Sequence, residues 1–152
     1  MTVFEMKPIG HIHSPYSDTS QIPKGAGAQH SAEGTLEVSA ELAAGLQDLE
    51  GFSHLFLIWV FHRSEGYELV GTNPTDKKPH GVFATRSPWR PNPIGLTVVQ
   101  LLRREDNLLF LRGLDMLDGT PVLDIKPYMS GIPADQLKRG WMEELEAAPG
   151  PP

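Results

Sequence analysis

Glycine and proline interrupt this sequence from end to end, and they limit the length of its regular segments. The chain contains 15 glycines and 14 prolines among 152 residues. Proline breaks the interior of a helix, and both residue types favour turns. This distribution favours short strands joined by loops and argues against a helical bundle.

Short apolar segments separated by turn signals predict strands along most of the chain. The predicted strands cover residues 4–13, 34–38, 55–61, 81–85, 94–102, 108–114 and 122–125. The run 55–61 is continuously apolar, which predicts a strand buried on both faces. Asp106 and Asn107 predict a tight turn that joins two of the strands into a hairpin.

Helical patterns are short, and two connections are long. Residues 41–46 predict one or two helical turns, and residues 134–146 predict an amphipathic helix. Residues 17–31 and 66–79 predict polar loops. No alternation of strands with helices and no G-x-G-x-x-G motif occurs, so a Rossmann domain is not expected. The pattern predicts an all-β fold, either a closed β-barrel or a sandwich.

The length, cysteine content and net charge of the chain limit its number of domains and the kinds of site and partner it can have. The length predicts one domain, residues 1–146, followed by a disordered tail at 147–152. With no cysteine, the chain has no disulfide, thiolate metal site or cysteine nucleophile. No signal peptide and no membrane-length apolar run are visible, so we expect a cytoplasmic protein. The net charge of −6 argues against broad nucleic-acid binding but allows a local basic patch.

Residues 86–93 predict a stiff loop between two strands, because three of these eight residues are proline. Each proline fixes its own φ angle and pushes the preceding residue toward extended geometry. The loop carries two guanidinium groups, an indole and a carboxamide, from Arg86, Arg90, Trp89 and Asn92. Two interpretations remain open: a loop that grips a ligand, or a rigid crossover whose arginines pair with the chain's own carboxylates.

Two further segments carry polar groups of interest. Asp118-Gly119-Thr120-Pro121 predicts a tight turn, and Asp124 and Lys126 would project from the same face of a strand. We favour a turn plus a surface ion pair over a site for a ribose or an ammonium group. His54 and His62 flank the run 55–61, but no H-E-x-x-H or G-x-S-x-G motif occurs, so neither a metal site nor a serine triad is expected.

Four blocks of the sequence resemble one known family. GFSHLFLIWVFH, GVFATRSPWRPNPIGLTVV, LDMLDGTPVLDIKPY and the N-terminal IGHIHSPY are similar to the signature blocks of the TsaA-like (TrmO, YaeB) family of tRNA methyltransferases, and they span about Ile9 to Tyr128. The resemblance implies a single-sheeted β-barrel with short helices and long loops. It also implies S-adenosyl-L-methionine as methyl donor, a homodimer with the cofactor near the subunit interface, and N6-methylation of threonylcarbamoyladenosine beside the tRNA anticodon.

The resemblance also implies site residues. Its cofactor-binding positions are Lys24, Gly25, Ala26, Phe61, His62, Arg86, Leu96, Asp115, Leu117, Asp118, Gly119 and Thr120. We expect Arg86 to meet the cofactor's carboxylate, and Phe61 and Leu96 to pack on its adenine or methionine chain. Asp115 or Asp118 would accept from its amine or ribose.

Catalysis and RNA binding complete these expectations. The acceptor nitrogen must lose a proton, and the candidate bases are His62, Asp118 and the threonyl carboxylate of the substrate. Trp89, Arg90 and Asn92 are the predicted RNA contacts. Two alternatives stay open: a non-catalytic module that binds S-adenosyl-L-methionine, and a methyltransferase that acts on another small acceptor.

Overall fold

The structure, a computed structural model, describes residues 2–25 and 28–147. Its strands are β1 (Gly10–His13), β2 (Ala32–Val38), β3 (His54–Val60), β4 (Val70–Thr72), β5 (Pro79–Gly81), β6 (Ile94–Glu105), β7 (Leu108–Leu114) and β8 (Pro121–Pro127). The α-helix is α1 (Trp141–Ala147), and 3₁₀ turns cover Thr19–Gln21, Ala40–Leu46, Leu49–Gly51, Val82–Ala84 and Ala134–Gln136.

Six strands close into a barrel in the order β1-β2-β7-β6-β3-β8, with antiparallel neighbours throughout. β4 and β5 form a separate two-stranded ribbon between β3 and β6. The predicted all-β barrel is therefore confirmed, and a sandwich is excluded. Closure leaves the six barrel strands without a free edge.

The core lies inside the barrel and follows the two-residue period of a strand. In β3, Leu55, Leu57 and Trp59 are buried, whereas the alternating residues are only half-buried on the outside. The prediction that this run is buried on both faces is therefore wrong for its outer face. A single closed sheet has one interior, so an apolar outer residue stays partly exposed.

One glycine resets this period near the end of β7. Gly113 has φ +102, in the left-handed region that favours glycine, and it lies where the pairing of β2 with β7 shifts register. The extra residue lets both Leu111 and Leu114 point into the core, where each is fully buried.

Further sequence predictions need correction. The predicted polar loop 66–79 contains β4 and the first residue of β5, because the two segments pair into the ribbon. The predicted strand 4–13 is a strand only over Gly10–His13, and Phe4 before it is 81% exposed. The predicted strand 81–85 is instead the end of β5 followed by a 3₁₀ turn, because Val82 turns inward and becomes buried. The predicted helix 134–146 is instead a 3₁₀ turn, Ala134–Gln136, and the helix α1, because Leu137 is extended and Gly140 has a φ of +55. Residues 148–152 of the predicted tail lie outside the described residues.

Helix α1 is fastened to the β4–β5 ribbon. The Trp141 indole stacks on the His80 ring with centroids 4.0 Å apart, and its Nε1 donates to the Ala84 carbonyl at 2.9 Å. His80 Nε2 in turn donates to Asp76 at 2.7 Å. The C-terminal segment is thereby held against the long connection that leads to β6.

The alternating strand directions bring distant segments together. β1, β3 and β7 end at the same rim of the barrel where β2, β6 and β8 begin, and we call this end the upper rim. Three connections cross it: residues 14–31, 61–93 and 115–120. The Asp106-Asn107 hairpin lies at the opposite, lower rim.

Candidate functional site

The turn between β7 and β8 forms one wall of the upper rim. Gly119 has φ +83, and Thr120 donates through both its backbone N and its Oγ1 to the Leu117 carbonyl, at 3.1 and 2.6 Å. Thr120 is 1% and Leu117 is 8% exposed. The side chains of Leu117 and Thr120 therefore shape the turn from inside, and Asp118 with Gly119 forms its outer surface.

Asp118 links this turn to the first long loop. Its Oδ1 accepts from the Ser14 backbone N at 3.1 Å, and its own backbone N donates to the Tyr16 carbonyl at 2.8 Å. His13 Nδ1 lies 3.9 Å from the same carboxylate. The turn and the end of β1 thus form one unit, which nothing in the local sequence pattern indicated.

A chain of hydrogen bonds holds Asp115 at the rim. Trp59 Nε1 donates to Thr97 Oγ1 at 3.0 Å, and Thr97 Oγ1 donates to Asp115 Oδ1 at 2.6 Å. Trp59 and Thr97 are buried, and Asp115 is half-buried. Sequence reasoning missed Thr97, although a hydroxyl among the inward apolar positions of β6 was a usable signal.

Phe61 and His62 follow β3 at the same rim. The Phe61 ring contacts Trp59 with centroids 4.4 Å apart, and the Phe61 backbone N donates to the Pro93 carbonyl at 2.8 Å. Burial, with the nearby charges of Arg63 and His11, lowers the pKa of His62 below 6.5, against a hydrogen bond to the Val60 backbone that raises it. His62 is therefore neutral at pH 7.

The arginines of the stiff loop bind backbone carbonyls. Arg86 donates to the Leu96 carbonyl, and Arg90 Nη1 donates to the carbonyls of Thr85 and Ser87, each at 3.1 Å. Neither arginine forms an ion pair with a carboxylate in the part of the chain that the structure describes. The stiff loop thus keeps its shape through its own main chain. Arg86 and Leu96 are brought together.

The remaining RNA and cofactor candidates differ in exposure. Trp89 is 56% exposed, and the Asn92 carbonyl accepts from the Ile94 backbone N at 2.7 Å. Lys24 is exposed, and Gly25 has φ +100 beside Thr75 of the ribbon turn. Ala26 lies outside the described residues.

One of the simpler interpretations agrees with the structure. Lys126 Nζ and Asp124 Oδ2 form the expected surface ion pair at 3.1 Å. His54 and His62 lie at opposite ends of β3, and His54 contacts Ser53 and Tyr128 at the lower rim. Among residues 2–25 and 28–147, no group of three or more His, Cys, Asp or Glu side chains could hold a metal ion. No helix within those ranges is long and apolar enough to cross a membrane.

Comparison with known proteins adds a family match. The family described as the tRNA-methyltransferase O N-terminal domain matches residues 11–134. A Pyrococcus abyssi protein named a probable S-adenosyl-L-methionine-binding protein is 47% identical over 139 residues, covering 91% of this chain and 76% of the relative. The Escherichia coli tRNA (adenine(37)-N6)-methyltransferase is 42% identical over 143 residues, covering 85% of this chain and 59% of that protein.

A solved structure agrees with the barrel topology. The crystal structure of TrmO from Pseudomonas aeruginosa superposes with a TM-score of 0.74 at 37% sequence identity. The superposition covers 92% of this chain and 63% of that chain. The chain thus spans less than two thirds of the E. coli and P. aeruginosa proteins.

Proposed function

The chain belongs to the family of the tRNA-methyltransferase O N-terminal domain, also called TsaA-like, and from this membership we propose that it is an S-adenosyl-L-methionine-dependent tRNA (adenine-N6)-methyltransferase. The structural observation that carries the proposal is the assembly at the upper rim. The carboxylates of Asp115 and Asp118 come from the connection 115–120, Arg86 and Phe61 come from the connection 61–93, and Leu96 comes from the start of β6, all at this rim. Such a convergence of polar groups beside apolar surface is the usual form of a small-molecule site.

The residues at the rim fit the cofactor by their chemistry. Asp115 is a half-buried acceptor fixed through Thr97, and it suits the cofactor's ammonium group. Arg86 uses part of its guanidinium on the Leu96 carbonyl and keeps further N–H donors for a carboxylate. Phe61 and the 48% exposed Leu96 supply apolar surface for the adenine or the methionine chain. When bound, the cofactor supplies an activated methyl group.

The chain's own residues position the acceptor, and a base close to it accepts its proton. Correct alignment of reacting groups contributes on the order of 7–11 kcal/mol to catalysis. His62 is suited to accept a proton because its lowered pKa keeps it neutral at pH 7. The exposed Asp118 carboxylate and a carboxylate of the substrate remain the alternatives for this role.

For the acceptor we propose N6 of threonylcarbamoyladenosine beside the anticodon, as the TsaA-like resemblance implies. RNA binding would use few phosphate contacts, because the chain carries a net charge of −6. Trp89 is exposed for stacking on an unpaired base. Since Arg90 is bonded to two carbonyls, it supports the loop and offers its remaining donors to RNA.

Transfer of label from S-adenosyl-L-methionine to tRNA tests this proposal. We expect label in tRNA that carries the threonylcarbamoyl group and none in tRNA that lacks it. An Asp115→Asn variant should lose cofactor affinity, whereas the matched Asp135→Asn variant, in an exposed 3₁₀ turn, should not. Label in both tRNAs would contradict the specific acceptor. No label in either, with cofactor still bound, would favour a non-catalytic binding module or another acceptor.

We further propose that the protein is a homodimer with the cofactor near the subunit interface. The outer side of β6 supports this, because Ile94, Leu96 and Val98 stand in a row at 41%, 48% and 40% exposure. The outward residues of β3 beside them, Phe56, Ile58 and Val60, are apolar as well. A contiguous apolar face of this kind marks an interaction surface.

The oligomeric state is checked by analytical ultracentrifugation. A Val98→Glu variant should shift a dimer to a monomer, because it places a charge on the apolar face. The matched Leu42→Glu variant changes a similarly exposed leucine, at 44%, in the 3₁₀ turn Ala40–Leu46 and should stay dimeric. A wild-type monomer would contradict the proposal.

The proposed substrate also defines a compartment. We propose that the protein acts in the cytoplasm, where tRNA takes part in translation. The absence of cysteine suits a reducing environment. Cell fractionation with an antibody against the chain tests this directly, and recovery in a membrane or secreted fraction would contradict it.

A further inference from the structure

A recess lies beside the stiff loop, and neither Asp115 nor Asp118 lines it. Glu65, Tyr67, Glu68 and Trp89 line it, and its volume is about 280 Å³. Drug-sized ligands occupy cavities of roughly 300–1,000 Å³. The volume therefore suits a single ring system, and we call this recess the aromatic recess.

Hydrogen bonds within the protein fix the walls of the aromatic recess before a ligand binds. Ser64 Oγ donates to the Pro88 carbonyl at 3.2 Å, and the Glu68 backbone N donates to the Trp89 carbonyl at 3.4 Å. Arg90 holds two further carbonyls of the stiff loop. Because hydrogen bonds join the two segments and prolines stiffen one of them, the protein loses little conformational entropy when a ligand binds.

The side chains of the recess are free for a ligand. Tyr67 is 59% and Trp89 is 56% exposed, so both rings are accessible to a ligand. Neither Glu65 nor Glu68 forms a side-chain hydrogen bond or an ion pair within the described residues. The recess thus combines aromatic faces with groups that only accept hydrogen bonds.

We propose that the aromatic recess binds one unpaired base of the RNA, by stacking on Trp89 and Tyr67 and by donation from the amino-bearing edge of the base to Glu65 or Glu68. This inference rests on the proposed action on tRNA. Carboxylates repel phosphate, so the recess selects a base over the backbone. Every base has a face that stacks on an aromatic ring, and stacking alone would not discriminate between bases.

The two carboxylates of the recess predict an order of preference among the four bases. Guanine presents two adjacent N–H donors on its Watson–Crick edge, and one carboxylate accepts both. Adenine and cytosine present one amino group beside a ring nitrogen that accepts, so a carboxylate gains one bond only. Uracil presents a single N–H between two carbonyl oxygens, which a carboxylate repels. We therefore expect guanine to bind best, adenine and cytosine to follow, and uracil to bind worst.

Binding of short single-stranded RNAs tests this order without any methyl transfer. The probes are short oligouridines in which one central uridine is replaced by guanosine, inosine, adenosine or cytidine, and the all-uridine RNA is the reference. Dissociation constants are measured by fluorescence anisotropy at one fixed salt concentration. We expect the guanosine RNA to bind about tenfold tighter than the all-uridine RNA. Inosine lacks the 2-amino group and should fall between them.

Charge-matched variants separate base recognition from general electrostatics. Glu65→Gln, Glu68→Gln and the control Glu41→Gln each remove one negative charge, and Glu41 lies exposed in the 3₁₀ turn at the lower rim. All three should bind the all-uridine RNA somewhat tighter. At least one of the two recess variants should also lose the preference for guanosine, which the control keeps.

Aromatic variants test the stacking. Trp89→Ala should weaken binding of all the RNAs by about tenfold, whereas Phe83→Ala, which removes a 77% exposed aromatic outside the recess, should not. Trp89→Phe should restore most of the affinity.

Four results would overturn the inference. They are equal binding of all RNAs by the wild type, or no binding at all; a guanosine preference unchanged in both recess carboxylate variants; and a Trp89→Ala variant that binds S-adenosyl-L-methionine more weakly without RNA. The last result would identify the recess as part of the cofactor site. Absent methylation together with an intact guanosine preference would overturn the proposed reaction alone.

Discussion

Gly95 is the position where the structure predicts the largest effect of a single methyl group. It stands opposite Trp59 in the pairing of β3 with β6, and the indole lies flat over it. A Cβ at residue 95 would come within 2.3 Å of Trp59 Cε2 and 2.4 Å of Cζ2. No φ in the left-handed region occurs at Gly95, so the strain of Gly95→Ala comes from the indole alone.

The indole cannot move without cost. Trp59 is 5% exposed, and its Nε1 donates to Thr97, which in turn holds Asp115. Overpacking of a core costs about 1–3 kcal/mol, and loss of a buried hydrogen bond costs about 1–3 kcal/mol more. Replacing glycine by alanine returns about 0.4–1 kcal/mol through the unfolded chain. We expect Gly95→Ala to lower the free energy of unfolding by about 2–4 kcal/mol, or the melting temperature by roughly 5–15 °C.

Urea unfolding followed by circular dichroism measures this difference, with Gly45→Ala as the matched control. Gly45 lies in the turn Ala40–Leu46, and a Cβ at residue 45 would meet no atom within 4 Å beyond its own turn. Its alanine variant should be as stable as the wild type or more stable by up to about 1 kcal/mol. If Gly95→Ala changed stability by less than about 0.5 kcal/mol, the packing of Trp59 over Gly95 would be wrong.

Three further predictions concern the rim and the ribbon. Thr97→Val leaves the buried Trp59 Nε1 and the half-buried Asp115 carboxylate without this partner, so it should lower stability by about 1–3 kcal/mol in urea unfolding and weaken cofactor binding. Thr97→Ser should preserve both stability and cofactor binding. Burial and the Arg63 charge lower the pKa of His62, so if His62 is the base, kcat/KM should stay constant until pH falls below 6.5. A rate that is flat over about pH 5 to 8 would contradict this role. Burial opposes the charge of Asp76, but hydrogen bonds from His80 and a backbone N–H outweigh it and lower its pKa below 3.8. The difference in free energy of unfolding between the wild type and Asp76→Asn should therefore be constant above pH 3.8 and vanish as pH falls through the lowered pKa. A difference that persists in stronger acid would contradict the hydrogen bond between His80 and Asp76.

Local patterns in the sequence were sufficient for several strands. β6, β7 and the turn between them follow from β-branched and apolar residues around Asp106-Asn107, and the hairpin is confirmed. The stiff loop 86–93 follows from its prolines alone. These features depend on neighbouring residues, so a short window of sequence contains the information that specifies them.

Other features depend on residues far apart in the chain. The role of Thr97 requires Trp59 and Asp115, 38 and 18 residues away, and the link of Asp118 to Ser14 spans 104 residues. The aromatic recess likewise needs two segments of the long connection to be tied together. No local pattern specifies such pairs, because each arises only when the barrel closes.

The sequence by itself determined that the chain would form short strands, where most of its turns would lie, and which family it resembles. These properties follow from φ preferences, turn chemistry and the two-residue period of strands. Only the tertiary structure decided that six strands close into a barrel and that three connections meet at one rim. Strand register and closure are set by the combined free energy of many long-range pairs and by bulges such as that at Gly113, which no single segment encodes.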